Sequence, residues 1–574
     1  MNMYLPDNLA TILLLLAPTL PLLYCVLIAI PALRDSAIRF SPIAAFPALL
    51  LALFAQSGTA LNPPWPIKLA SLELTGTARV FLGFSAVLWL LADWFARGYL
   101  TEDRRRTRFY EFFLLSMAGN FVLLLAQDIP TFYSGFALMG FASCGLVVHK
   151  GDAAAVRAGR IYLILAAVGE VLLFVAFGIV SAAADSVQIA EVVNSDMPMS
   201  GILLLLIAFG IKAGALALHF WLPLAHPAAP VPASAVLSGA MIKAGLFGWL
   251  QFLPLGLVAM PNLGASLIAT GILSALLGTV AGVTQRNAKT VLAYSSFSQM
   301  GIITVGLGVA FLQPEAWPGL LAAILIYALH HGLAKGALFL GVTPASEANN
   351  RREIWIARIG LLLPALALAG APFTSGAMAK LALKAELNYL TEPWGYIVGF
   401  LLTLAAMGTT LKMIRFLVLS WPPRPAAADG IHHRVWIPWG LSVASVFVGI
   451  WILPGSAEKL SDIAAPKKLW TAFWPVLAGI GLAAIGSFFV RKLKFNEPKG
   501  IPAGDMIVPI EWIYLKLTSV LSKPSGPKVE KSENAVSPIW SKVLMRTEAM
   551  LSVFSIGALT LATIVVLLLV LITR

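Results

Sequence analysis

The chain has 574 residues, 59% of them hydrophobic and only 12% charged, too few polar side chains to cover a water-soluble globule. Its formal charge of +13 lies mostly between apolar runs, the pattern of an inside-positive membrane protein and not of a nucleic-acid binder. The solvent is lipid, where backbone groups must be satisfied internally, and runs of this length specify helices, not barrel strands.

The first apolar run, 10–30, is longer than a signal-peptide core, has no basic region before it and ends at Leu33-Arg34-Asp35 without a small-residue cleavage site; it is the first expected span. In chain order, sixteen spans are expected near 9–31, 38–57, 77–98, 110–126, 129–148, 160–183, 199–222, 232–253, 263–283, 289–312, 316–341, 357–386, 393–418, 434–453, 470–490 and 549–572. The fold class expected is an all-α polytopic membrane protein. Between the last two spans, 491–548 is rich in Lys, Pro, Ser and Glu and contains an apolar-periodic stretch, 510–521, expected to be an amphipathic helix on the cytoplasmic surface or against a partner.

Alternate loops sort by charge. One set holds Arg34 and Arg39, then Arg104, Arg105, Arg106 and Arg108, then Lys150, Arg157 and Arg160, then Arg286 and Lys289, then Arg351 and Arg352. The opposite set has little Lys or Arg beyond Lys68 until Lys459, and its 184–198 loop carries only the acids Asp185, Glu191 and Asp196. With an even number of spans, both termini are expected outside and the basic loops in the cytoplasm of a bacterial-type inner membrane. Cys25 and Cys144 lie in apolar runs and form no Cys-x-x-Cys or Cys/His cluster, so no disulfide, iron–sulfur or zinc site, and no cofactor, is expected in this chain. The sequence has neither a phosphate-binding loop nor a dinucleotide fingerprint, which disfavours an ATP-driven pump.

Ionisable residues stand where they are expensive. Glu170, Lys212, Lys243, Lys335 and Lys380 fall inside expected spans, with His219, His330 and His331 nearby and Lys384 and Glu386 toward one helix end. Each ionised group at mid-bilayer costs roughly 2.5–3.5 kcal/mol, so five unpaired ones would cost about 12–18 kcal/mol. That is comparable to the stability of a whole domain, so these groups must face protein, water or one another. His331 and Lys335 are four apart on one helical face, as are Lys380 and Lys384. Burial disfavours an ammonium against its free amine, which lets a lysine in such a place load and release a proton. Two helix breaks adjoin lysines: Lys212 precedes Trp221-Leu-Pro-Leu-Ala-His-Pro-Ala-Ala-Pro-Val-Pro232, and Lys380 follows Gly370-Ala-Pro-Phe-Thr-Ser-Gly376. Interrupted helices at membrane depth line cavities or pack within protein.

Ala208-Phe-Gly-Ile-Lys-Ala-Gly214, Leu218-His-Phe-Trp-Leu-Pro-Leu-Ala-His226, Leu237-Ser-Gly-Ala-Met-Ile-Lys-Ala-Gly245, Lys289-Thr-Val-Leu-Ala-Tyr-Ser-Ser-Phe-Ser-Gln-Met-Gly301 and His331-Gly-Leu-Ala-Lys-Gly-Ala-Leu-Phe339 resemble the antiporter-like subunits of respiratory complex I, a family shared with multisubunit cation/proton antiporters and membrane-bound hydrogenases. The resemblance runs from about 110 to 420. It implies two inverted five-helix repeats, 110–255 and 256–420, with flanking helices at 1–109, further spans at 421–490, the surface segment 491–548 and a last helix in 549–574. It also implies that Lys212 is the first-half relay lysine, Lys243 the connecting one, His331 and Lys335 the central pair, and Lys380 the second-half lysine toward the exit. The lysine in the twelfth span and the final helix after a surface segment are most similar to the distal complex I subunit type. One position departs. Where the family has a glutamate in its fifth span, Phe132-Tyr-Ser-Gly-Phe-Ala-Leu-Met139 has Ala137; the acid expected to partner Lys212 instead is Glu170, in the next span.

The function expected is proton translocation, with Na⁺ as the other possible ion, by a subunit in contact with lipid and with other membrane subunits such as those of a quinone oxidoreductase or hydrogenase. The alternatives are a cation/proton antiporter subunit, an energy-coupled inorganic-carbon uptake subunit, or a spacer whose channel is dead. No nucleic-acid partner is expected.

Overall fold

The computed structural model describes residues 5–61, 71–421, 433–452, 465–492, 500–505 and 507–508. The span expected at 549–572 and nearly all of 491–548 lie outside them. The apolar runs form helices α1 (Asp7–Ala29), α2 (Arg34–Phe40), α3 (Phe46–Phe54), α4 (Gly76–Tyr99), α5 (Arg106–Leu125), α6 (Ile129–Val147), α7 (Ala153–Ala184), α8 (Ile189–Val193), α9 (Met199–Ala213), α10 (Leu222–Ala228), α11 (Val231–Val236) and α12 (Ile242–Phe252). They continue as α13 (Pro261–Val283), α14 (Ala288–Leu312), α15 (Trp317–Glu347), α16 (Arg351–Ala369), α17 (Ser375–Ala385), α18 (Trp394–Ser420), α19 (Trp436–Val448) and α20 (Pro466–Lys492). Polar residues at the helix starts satisfy the free N–H groups of the first turn: Asp128 accepts from Thr131 N, Asn287 from Lys289 N and Thr290 N, and Thr374 from Ala377 N.

Among the described residues, twelve helices are long and apolar enough to cross a membrane, and they cover twelve of the expected spans. The other expected spans differ in a consistent way. The seventh stops at Ala213 and not near 222, because Gly214 takes a left-handed backbone (φ 70°) that ends α9. The twelfth is two helices, α16 and α17, separated at Gly370 (φ 87°). The fourteenth is the short α19, and the sixteenth is not among the described residues, so the described residues do not establish a count of sixteen. The second span crosses as α2, a 3₁₀ turn at Ser41–Ala45 and α3, with Pro42 and Pro47 at the joints.

From α5 onward the same order occurs twice. Three helices (α5, α6, α7) precede a helix broken after Ala213 and then the composite helix of α11, a π turn at Leu237–Met241, and α12. Three more (α13, α14, α15) precede the broken pair α16/α17 and then α18. The middle of the molecule is the driest part. Val231–Phe252, Ala288–Leu312 and Pro314–Glu347 are almost wholly buried, whereas α1, α7, α13 and α20 leave broad apolar faces outward, as helices facing lipid do. At the centre the π turn crosses α15 so closely that a Cβ on Gly239 would lie 3.0 Å from the Gly332 carbonyl oxygen; small residues permit that approach.

Candidate functional site

Lys212 sits in the last turn of α9, beside the carbonyls that the break at Gly214 leaves without helical partners. Trp221 takes one of them, donating from Nε1 to Ile211 O (2.8 Å). The Lys212 ammonium turns away, donates to Tyr162 Oη (2.9 Å) and lies over the Phe136 and Tyr162 rings (5.9 and 5.4 Å to their centroids). Tyr162 in turn donates to Gly140 O (3.2 Å) and has Ser143 Oγ at 2.5 Å. Glu170 is buried on α7, and its Oε2 has no hydrogen-bond partner among the described residues. Both charged groups abut Gly140, one turn along α6 from Ala137: a Cβ there would lie 3.2 Å from Glu170 Oε1 and 3.8 Å from Lys212 Nζ. They do not form a direct ion pair, and they share one small gap.

The central residues occupy the dry middle. Lys243 on α12 donates to Ser238 O (2.6 Å), a carbonyl of the π turn; local π geometry leaves carbonyls free of the ordinary helical ladder. Ser238 Oγ meets Ser296 Oγ of α14 at 2.8 Å. Lys335 on α15 donates to Leu292 O of α14 (2.7 Å). His331, one turn before it, is fully buried, with neither ring nitrogen partnered among the described residues.

The second break also carries a lysine, but this one binds the freed carbonyls. Lys380 on α17 donates to Leu368 O and Ala369 O (2.9 and 2.6 Å), the last carbonyls of α16, where the helix dipole and unpaired oxygens favour a cation. Gly370 is required twice over: its backbone is left-handed, and a Cβ on it would lie 3.1 Å from Lys380 Nζ. Lys380 and Lys384 line one cavity of about 40 Å³ with Gly370, Thr403 and Thr471, room for about two to four waters at roughly 10–15 Å³ each. Lys384 donates to Thr403 Oγ1 (2.6 Å). His330 faces the start of α17, with Nδ1 2.8 Å from Ser375 Oγ.

His219 is buried but turns elsewhere. Its ring stacks on Phe297 (3.7 Å between centroids, 8° between planes), and its Nε2 is 3.3 Å from Asp505 Oδ2. Three residues escaped the sequence analysis. Lys289, counted there as a loop charge, is buried at the start of α14 and donates to Ala229 O (2.5 Å). His226 is buried against Phe339 (4.7 Å between centroids) with both ring nitrogens unpartnered among the described residues. Lys412 is wholly buried in α18. The signal was present for Lys412, a lone lysine in an apolar run, but its place near the end of an expected span reads equally as a snorkelling residue. Among the described residues no group of three or more His, Cys, Asp or Glu stands close enough to hold a metal ion.

Residues 126–407 match the family described as NADH:quinone oxidoreductase/Mrp antiporter, TM. Over those residues the chain is similar to this antiporter-like family. It is 31% identical over 294 residues to hydrogenase-4 component B of Escherichia coli, which is 49% of this chain and 44% of that protein. It is 30% identical to a putative antiporter subunit, mnhA2, of Staphylococcus saprophyticus, over 54% of this chain and 42% of the relative. It is 24% identical to NADH-quinone oxidoreductase subunit N of Cupriavidus taiwanensis, over 60% and 75%. The chain thus spans less than half the length of the first two relatives. The solved Mrp complex from Dietzia sp. shares its fold (TM-score 0.67, 21% identity, 95% of this chain and 66% of that one), as does an archaeal membrane-bound sulfane sulfur reductase (0.63, 18%, 81% and 99%).

Proposed function

We propose that this chain conducts protons across a bacterial-type inner membrane as one subunit of a multisubunit assembly, along a line from Glu170 and Lys212 through Lys243, His331 and Lys335 to Lys380. The driving reaction lies in partner chains, of which quinone oxidoreductase or hydrogenase subunits are the leading type. One observation carries the reading: a lysine stands at each of the two helix breaks, Lys212 buried in the last turn of α9 with its ammonium on Tyr162 Oη, and Lys380 with its ammonium on the terminal carbonyls of α16. A buried ammonium that can reach alternative acceptors is able to change protonation state as its neighbours do.

Glu170 stands in for the absent fifth-span carboxylate. Its oxygen and the Lys212 ammonium both border Gly140, so a proton arriving on the carboxylate weakens the hold on the lysine's charge. His219, His330 and Lys384 are secondary members, at the edges of the line. Both termini are placed outside, and no cofactor of its own is assigned to the chain.

The test is proton movement in membrane vesicles containing the whole assembly, read with a pH-sensitive dye under an imposed potassium diffusion potential. Lys212→Met and Lys380→Met are each expected to lower the flux by about tenfold or more with assembly intact. Unchanged flux in both variants would defeat the proposal. The resemblance to an antiporter subunit at 30% identity favours a second reading, cation/proton exchange without a redox partner. Proton movement that requires Na⁺ on the opposite side would select it.

A further inference from the structure

Lys412 takes no part in the line just described, yet it too is a buried charge-bearing side chain. It is fully buried, its Nζ has no hydrogen-bond partner among the described residues, and its stem lies against α13, where a Cβ on Gly282 would be 3.0 Å from Lys412 Cδ. An amine of this kind, buried without a partner, is unfavourable unless water or an acceptor serves it.

Its surroundings are polar and ordered. Gln299 on α14 donates from Nε2 to Thr409 Oγ1 (2.9 Å) and accepts from Tyr327 Oη on α15 (2.5 Å). Arg415 Nε on α18 donates to Gln285 O, three residues before the start of α14 (2.9 Å). With Thr409 opposite Gln299 and Arg415 toward Gln285, the two helices run antiparallel. One turn beyond the Gln299–Thr409 bond toward that end, α18 presents Lys412 and α14 presents Ser295. The Oγ of Ser295 is also buried and unpartnered among the described residues. One turn further along α14 is Leu292, whose carbonyl accepts from Lys335. The titratable groups on these helices are Lys289 and Tyr294 on α14, Tyr327, His330, His331, Lys335 and Glu347 on α15, and Lys380 and Lys384 on α17. In the other direction, one turn past the Gln299–Thr409 bond, Ile302 of α14 and Ala406 of α18 line the cavity that holds Lys380.

We infer that Lys412 is an intermediate proton-carrying site between Lys335 and Lys380, linking the central line to the cavity at the second helix break. This rests on the proton-conducting reading above. Lys412 accepts a proton released from the Lys335 side and passes it to the Lys380 side, returning to the free amine after each transfer. Ser295 and the Gln299–Tyr327–Thr409 chain order whatever water bridges the gaps.

The experiment is the same dye assay on the full assembly, with Lys412→Met, Lys412→Arg and Lys412→His beside Lys335→Met and Lys380→Met. Methionine keeps the bulk without a proton, arginine keeps the charge but cannot release it, and histidine can do both. Methionine and arginine are expected to lose about tenfold or more of the flux while histidine retains a third or more. A role in packing would tolerate methionine, and a role as a fixed charge would tolerate arginine. Normal flux in either variant, alongside loss in Lys335→Met and Lys380→Met, overturns the Lys412 assignment and leaves the main reading standing. Loss in all three Lys412 variants with the assembly present also overturns it, in favour of a strict shape requirement. Should the methionine variant be absent from the membrane, arginine against histidine decides. Normal flux in Lys335→Met and Lys380→Met removes the proton-conducting reading, and the Lys412 site with it.

Discussion

Lys212 and Glu170 face each other across the space left by Gly140, and their relation makes a sharp prediction. If the carboxylate sets the lysine's charge state, Glu170→Gln removes the switch but keeps the shape, and vesicle proton flux falls by about tenfold. Adding Ala137→Glu to that variant puts a carboxylate one turn away on α6 and is expected to recover part of the loss. Full activity in Glu170→Gln, or no recovery in the double variant, would show that Glu170 is only a packing acid. Charge alone does not suffice at the two break lysines either. Lys212→Arg and Lys380→Arg should transport no better than the methionine variants, because a guanidinium stays protonated at any accessible pH; flux near normal in the arginine variants would mean that a fixed positive charge is all the site needs.

At the scale of the element, the broken helix is the working unit. A continuous helix hides its carbonyls in its own ladder, whereas α16 stops at Ala369 and hands its last two oxygens to Lys380. Gly370→Ala forces a side chain into a left-handed backbone and against the lysine. The expected cost is about 1 kcal/mol or more of stability, read as a lower melting temperature of the purified assembly, together with a loss of flux at least as large as for Lys380→Met. Wild-type melting and flux would show that the break has no part in placing Lys380. The break at Gly214 differs, since Trp221 Nε1 satisfies one freed carbonyl and lets Lys212 turn toward Tyr162 and the gap beside Glu170. The two breaks therefore present their lysines differently, one to a carboxylate and aromatic faces and one to bare carbonyls and a small cavity.

For the whole molecule, the orientation proposed from alternate loop charge predicts opposite sides for the α4–α5 and α7–α9 connections. With Cys25 and Cys144 replaced by serine, Asp196→Cys should react with an impermeant thiol reagent in intact cells, and Glu102→Cys only after the membrane is opened; the reverse pattern would invert the topology. Both positions are exposed, so access and not burial is what the reagent reads. Most of the architecture was legible because lipid imposes a single rule, long apolar helices, on almost every segment. The lysines at 212, 243, 335 and 380 were legible for the complementary reason, that a charge inside such a run is too costly to be incidental. Periodicity could not show where a helix stops for a single left-handed glycine, as at Gly214 and Gly370, because the apolar pattern continues across the break. Nor could it separate Lys289 and Lys412 from the snorkelling residues of the loops, since depth along one helix says nothing of what its neighbours cover. Composition and spacing by themselves determined the solvent, the helices and the kinds of groups that must be shielded. Tertiary packing alone decided which of those groups meet, bringing Glu170 and Lys212 to one glycine and leaving Lys412 buried without a partner among the described residues, because those encounters depend on side chains from helices far apart in sequence.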